Sequence, residues 1–351
     1  MPLSFWSSVP MRRVPAVALS LLAVWLGAAT WLSTPALALS VVATIAASGA
    51  PWGVAVNPSL NRVYTANATG NSLSVLDGAS NTVIATLPVG TSPHGVAVNA
   101  ILNRIYVANT GSNSVSVIDG SSNRPITTIG VGSFPSSVAV NPNTGVVYVV
   151  NAGSGSLSVI DGNTNTVTVT NMLGFRLSGV AVNPSTNRVF VSLPDLNDVL
   201  VIDGQTNRPL GGAPVGTSPG AVGVDPGTNR VYVANYGSNT LSVLDGTTSG
   251  LVATIGVGRM PSGVAVNPTR QRIYVTAEGA NSVSAIDMAS NTIVDTVGVG
   301  AEPVGIGTNP SSGRVYVADA WSNDVSVIDD TPAGGSPVPQ PTPTPPARPA
   351  V

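Results

Sequence analysis

The chain has no cysteine and no lysine among its 351 residues. Without cysteine there is no disulfide, thiolate nucleophile, Cys-based zinc site or iron–sulfur cluster. Without lysine, every basic side chain is an arginine. Charged residues are only 9% of the total and the formal net charge is −2, so nothing draws the chain broadly toward nucleic acid or anionic membranes. Histidine occurs once, as His94, and glutamate twice, as Glu278 and Glu302. The C-x-x-C-H haem signature, the D-x-[DN]-x-[DN]-G calcium loop and a G-x-S-x-G elbow on a strand–helix turn are all missing. Helical periodicity is absent after residue 38, and glycine-rich pieces such as Gly153-Ser154-Gly155 read as hairpin turns rather than phosphate cradles.

The chain has instead 38 glycines, 29 prolines and 43% apolar residues, which calls for many turns between short strands. Two ends stand apart. Arg12 and Arg13 precede an apolar run from Val14 to Leu32, and Ala36-Leu37-Ala38 forms an A-x-A cleavage pattern before Leu39. Residues 1–38 therefore read as a secretory signal peptide, with an uncleaved signal anchor as the alternative. Residues 331–351 are proline-rich with little to bury, and read as a disordered tail or polyproline spacer.

Between the ends the sequence repeats. Asp77, Asp119, Asp161, Asp203, Asp245, Asp287 and Asp329 follow one another at steps of 42 residues. Tyr64, Tyr106, Tyr148, Phe190, Tyr232, Tyr274 and Tyr316 keep the same step, as do Asn57, Asn99, Asn141, Asn183, Asp225, Asn267 and Asn309. Seven equal copies of this length, each holding several short strands, predict an all-β, seven-bladed β-propeller over residues 39–330. In the second copy the strands read as 95–99, 104–109, 114–119 and 125–129, with Pro125 on the outer one. The last copy stops after its third strand. Residues 41–45 align with residues 83–87 one period later, so the opening strand is expected to complete the last blade and close the ring.

Tyr106-Val107-Ala108-Asn109 and its counterparts follow a turn of N-P-x-x-N-R type, as at residues 57–62 and 183–188, and precede a strand of S-V-S-V-I-D type. In this the chain resembles the YVTN-type β-propeller repeat family over residues 40–330. The resemblance implies a secreted or surface-layer propeller, and one relative of this type is a periplasmic propeller with DNA-binding ability. Distant seven-bladed cousins include lactonases, a streptogramin lyase, and quinoprotein or cytochrome subunits. Fold alone does not choose among these. A lyase-type metal site needs several His and Glu residues, and one His is too few.

A side chain present in every copy serves folding, so function belongs where copies differ. The seven aspartates read as turn residues and the aromatic series as blade-to-blade packing. Asn67, Asn109, Asn151 and Asn235 are expected to satisfy loop backbone. The resemblance places ligands on the face carrying the loops that enter the inner strands. There the unusual residues are Trp52, His94, Phe134, Arg176, Arg259 and Glu302, with Trp321 from a neighbouring loop, and these seven are the candidate binding rim. The expected function is a non-enzymatic binding scaffold, secreted, periplasmic or attached to the cell surface. Its expected partner is a protein or glycan of the envelope. The chain is expected to be a monomer without a cofactor or bound metal, meeting the membrane only through an uncleaved N-terminal segment. One alternative is a lactonase-like metal-dependent hydrolase using His94 and Glu302. Another is single-stranded nucleic-acid binding, with Trp52, Phe134 and Trp321 stacking bases and Arg176 and Arg259 meeting phosphates.

Overall fold

The computed structural model describes residues 39–331. The signal-segment reading of residues 1–38 and all of the proline-rich tail beyond Thr331 lie outside them. The described chain forms seven four-stranded antiparallel sheets. In the second blade the strands are Pro93–Asn99, Arg104–Asn109, Ser114–Asp119 and Arg124–Gly130, from the inside out. Inner strands of successive blades adjoin one another, and that of the last blade adjoins that of the first. The fold is thus a seven-bladed β-propeller.

Closure is by the first strand. Ser40–Ala46 lies antiparallel to Asp324–Asp329, with Ser40 opposite Asp329 and Ile45 opposite Val325. The register slips between Val41 and Ala43, as it slips beside Val75 and Leu76 in the first blade. The opening strand therefore carries even the bulge of an ordinary outer strand. Its pairing removes the one sheet edge a seven-copy chain would leave open inside a blade.

The core lies between blades. Tyr64, Leu73 and Val75 of the first blade pack on Ile105, Val107 and Ile118 of the second. Ile45, Tyr316 and Val325 of the last blade pack on Val63 and Leu76 of the first, across the closure. Buried aliphatic side chains of this size each contribute about 1.5–3 kcal/mol.

Polar repeats pin the blades together. The Tyr148 hydroxyl donates to the Gly204 carbonyl at 3.2 Å, one blade onward. Tyr316 does the same across the closure, reaching Gly78 at 3.4 Å. In four blades the asparagine at the end of the inner strand, Asn57, Asn141, Asn183 or Asn309, folds its own turn and reaches the next blade. Asn183 Oδ1 accepts from Ser185 N at 2.9 Å, while its Nδ2 donates to Asn229 Oδ1 at 2.6 Å. Asn309 closes the circle by donating to Asn61 at 2.7 Å. The seven aspartates act as expected: Asp119 Oδ1 accepts from Ser121 N and Ser122 N at 3.0 and 2.8 Å. The Ser121 hydroxyl first, then these backbone bonds and the Ser122 hydroxyl, pull the Asp119 carboxyl down to about 2. Asn67, Asn109, Asn151 and Asn235 differ in part from expectation. Each amide donates to two hydroxyls of its own blade, as Asn67 does to Ser72 and Ser74 at 3.0 and 2.9 Å. Of the four, Asn109 also satisfies loop backbone, accepting from Gly90 N at 3.1 Å. Hydroxyls fill this role because all four asparagines are buried in the sheet, beside the first residues of the third strand.

Candidate functional site

The inner strands approach one another closely. A Cβ on Gly53 would stand 2.1 Å from the His94 carbonyl, and one on Gly305 2.1 Å from that of Trp52. Backbone crowding of this kind admits only glycine at those positions. Hydroxyls on the same ring are turned to neighbouring carbonyls: Ser136 Oγ donates to Ser178 O at 3.2 Å and Ser262 Oγ to Pro303 O at 2.9 Å.

These strands enclose a cavity of about 370 Å³ with contributions from all seven blades. Its wall is glycine, serine and a set of β-branched residues including Val54, Val138 and Ile306. Two large side chains interrupt this pattern, Trp52 and His94. They belong to adjacent blades and stack on each other, with ring centroids 4.6 Å apart and planes 16° from parallel. Trp52 keeps 40% of its surface exposed. Burial holds His94 below the usual imidazole range, so the ring is neutral at pH 7 and stacks without charge.

The remaining candidates are separate from this pair. Phe134, Arg176, Arg259, Glu302 and Trp321 do not line the cavity. Phe134 and Trp321 are 58% and 74% exposed. Arg176 faces Asp195 at 3.7 Å in a well-solvated pair, which adds little to stability. Glu302 is close enough to Glu278 for its charge to matter. Burial first, and Glu302 second, raise the Glu278 carboxyl, while the Tyr236 hydroxyl opposes them. His94 and Glu302 thus do not share a site, and no group of three or more His, Asp or Glu side chains suited to a metal occurs among the described residues.

The backbone of the rim holds a device that residue types did not reveal. The residue preceding each inner-strand proline is left-handed in six loops: Ala50, Ser92, Phe134, Ser218, Met260 and Glu302, with φ between 36° and 54°. For Phe134 or Met260 this conformation is strained. An asparagine 21 residues earlier holds it. Asn71 Oδ1 accepts from Ser92 N at 2.8 Å, Asn113 from Phe134 N at 3.0 Å, and Asn281 from Glu302 N at 3.1 Å. Asn323 reaches Ala50 N across the closure at 2.7 Å. The seventh loop lacks the device. Gly155 stands where the asparagine would be, Leu177 replaces the proline, and the inner strand starts only at Val180. This irregular loop carries the exposed Phe175 and Arg176. The signal in sequence was the missing proline and asparagine in one copy of seven.

Comparison with known proteins bears on the fold alone. No protein-family model matches the chain, and no curated protein matches its sequence. Among solved structures, hydrazine synthase of Kuenenia stuttgartiensis is similar, with a TM-score of 0.73, at 21% identity. The match covers 80% of this chain and 95% of that one. In all, 1663 chains of solved structures match significantly, and a likeness at this identity establishes the propeller fold and leaves activity open.

Proposed function

We propose that the chain is an exported YVTN-type propeller that acts as a non-catalytic binding scaffold in the envelope or at the cell surface. The 42-residue repeat and its Tyr-Val-Ala-Asn strand support the family reading, and the A-x-A pattern before Leu39 supports export. One observation carries the binding reading: the only large side chains on a cavity walled by all seven blades are the stacked Trp52 and His94. A half-exposed indole backed by a neutral ring offers an apolar face, and the adjacent serines and inner-strand backbone offer directional polar contacts. That combination suits a sugar ring, or an aromatic or proline side chain at the tip of a protein loop.

The test is tryptophan fluorescence and calorimetric titration of the purified protein with soluble cell-wall glycan fragments and purified envelope proteins. Removal of an aromatic anchor costs about 1–3 kcal/mol, so Trp52→Ala is expected to weaken binding about fivefold or more. His94→Ala is expected to act in the same direction, and Trp321→Ala to leave affinity unchanged. Absence of any binder, or binding indifferent to Trp52 and His94, would sink the proposal.

A further inference from the structure

At the equivalent point in every other blade, the chain runs through a tight turn from third to outer strand. The residue matching Leu39 is Asn81, Asn123, Asn165, Asn207, Ser249 or Asn291, each left-handed. Its N–H donates to the aspartate carbonyl four residues back, as Asn81 N does to Asp77 O at 2.9 Å. The last blade has no such turn, because its outer strand comes from the other end of the described chain. Leu39 N turns elsewhere and donates to Asp295 Oδ2 at 2.5 Å. The Leu39 side chain is buried among Tyr274, Val283, Ile306 and Ile328, between the sixth and seventh blades.

Asp295 is itself an exception. Its counterparts in the other outer strands are Ala43, Ala85, Thr127, Val169, Gly211 and Ala253. It is half-buried, and no arginine pairs with it among the described residues. A carboxylate without a cation, unique in seven copies, is thus held against the backbone nitrogen that follows the A-x-A pattern.

We infer that Ala38–Leu39 is a processing site and that Asp295 is the receptor for the amino terminus that cleavage creates. The inference rests on the export reading above. Hydrolysis by a signal peptidase breaks the bond between the Ala38 carbonyl carbon and the Leu39 nitrogen. Water supplies the oxygen that makes Ala38 a carboxylate, and its hydrogens join the one on nitrogen to give a Leu39 α-ammonium. A single neutral N–H becomes a cation with three donors, directly on the Asp295 carboxylate. A half-buried, hydrogen-bonded ion pair then fastens the residue that leads into the closing strand. Maturation therefore strengthens the closure of the ring, and an unprocessed chain closes more weakly.

The lack of lysine makes the test clean, because the α-amine of the mature chain is its only primary amine. The full chain is expressed in an exporting host, and the product is sequenced from its N-terminus. The folded product is then acetylated at neutral pH with an amine-reactive ester. The first residue is expected to be Leu39. Its amine is expected to react about tenfold more slowly than in Asp295→Asn, because an ammonium paired with the carboxylate gives up its proton less readily. Once acetylated, the wild type is expected to melt about 2–4 °C lower, while Asp295→Asn is unmoved by acetylation. A chain retained in the cytoplasm overturns the export reading and this inference together. A chain exported but cut elsewhere, or cut at Leu39 with an amine as reactive as in Asp295→Asn and no coupled change in melting, overturns this inference alone.

Discussion

Replacing Gly145 by asparagine should stabilise the protein. Four of the inter-blade latches join an inner-strand asparagine to an asparagine 46 positions onward, as in Asn141 to Asn187 at 2.7 Å. For Asn99 that partner position is Gly145, and Asn99 Nδ2 is buried without a hydrogen-bond partner. Gly145 already has φ 74°, close to the left-handed values of Asn187 and Asn229, and a new Cβ would meet nothing nearer than Asn163 Nδ2 at 3.3 Å. An orphaned buried donor costs about 1–3 kcal/mol, and a new bond recovers part of that. Loss of glycine's freedom in the unfolded chain adds about 0.4–1 kcal/mol, offset by the mild left-handed cost for asparagine. The net gain is about 1–2 kcal/mol, or about 2–4 °C in melting temperature for a domain of this size. The assay is a thermal double-mutant cycle of Gly145→Asn with Asn99→Ala. The gain should vanish in the Asn99→Ala background. A neutral or destabilising Gly145→Asn, or an equal gain without Asn99, would refute the latch. Gly313 is the matching vacancy opposite Asn267, but a Cβ there meets Arg270 Nη2 at 2.8 Å, so Gly313→Asn should gain less.

Three further outcomes follow. Tyr148→Phe loses the bond to Gly204 and should destabilise by about 1 kcal/mol, whereas Tyr64→Phe, whose hydroxyl has no partner, should be close to neutral by denaturant titration. Asp319 stands where four other blades have asparagine, and burial, then its neighbour Asp324, raises its carboxyl. A raised folded value means the fold prefers the protonated form, so this group's contribution is present in acid and lost as pH rises through the raised value. Asp319→Asn should therefore raise melting temperature above neutrality and lose that advantage progressively as pH falls toward the ordinary carboxylate range. Because His94 is held below the usual imidazole range, ligand affinity at the Trp52–His94 pair should stay constant from pH 8 through pH 7, measured by titration.

The strand positions of the second blade were legible to within two residues, because alternation and turn residues repeat seven times. The closure was legible too, since residues 41–45 could be counted as the missing outer strand. The rim was less so. Trp52 and His94 stand out as residue types, yet their stacking depends on the distance between two adjacent inner strands. The same reading grouped Phe134, Arg176, Arg259, Glu302 and Trp321 with them, and the cavity wall holds none of the five. For Phe134, Arg176 and Glu302 the cause is a two-residue offset along the strand entry from the positions matching 52 and 94, which line the channel wall; Arg259 lies one residue further back and Trp321 belongs to the loop between the second and third strands. The asparagine clamps escaped notice for a similar reason. They connect loops of consecutive blades, 21 residues apart, and the clamped residue varies in type because only its backbone N–H is used.

Closure by the opening strand underlies the cavity, the rim and the Leu39 latch alike, and cross-linking tests it most directly. The chain has no cysteine, so a pair introduced at Ile45→Cys and Val325→Cys is the only pair of thiols present. Oxidation should give one intramolecular disulfide in the folded protein. The matched pair Ile45→Cys with Val283→Cys, one blade earlier, should give none. A link to position 283, or no link to position 325, would show that the first strand does not complete the last blade.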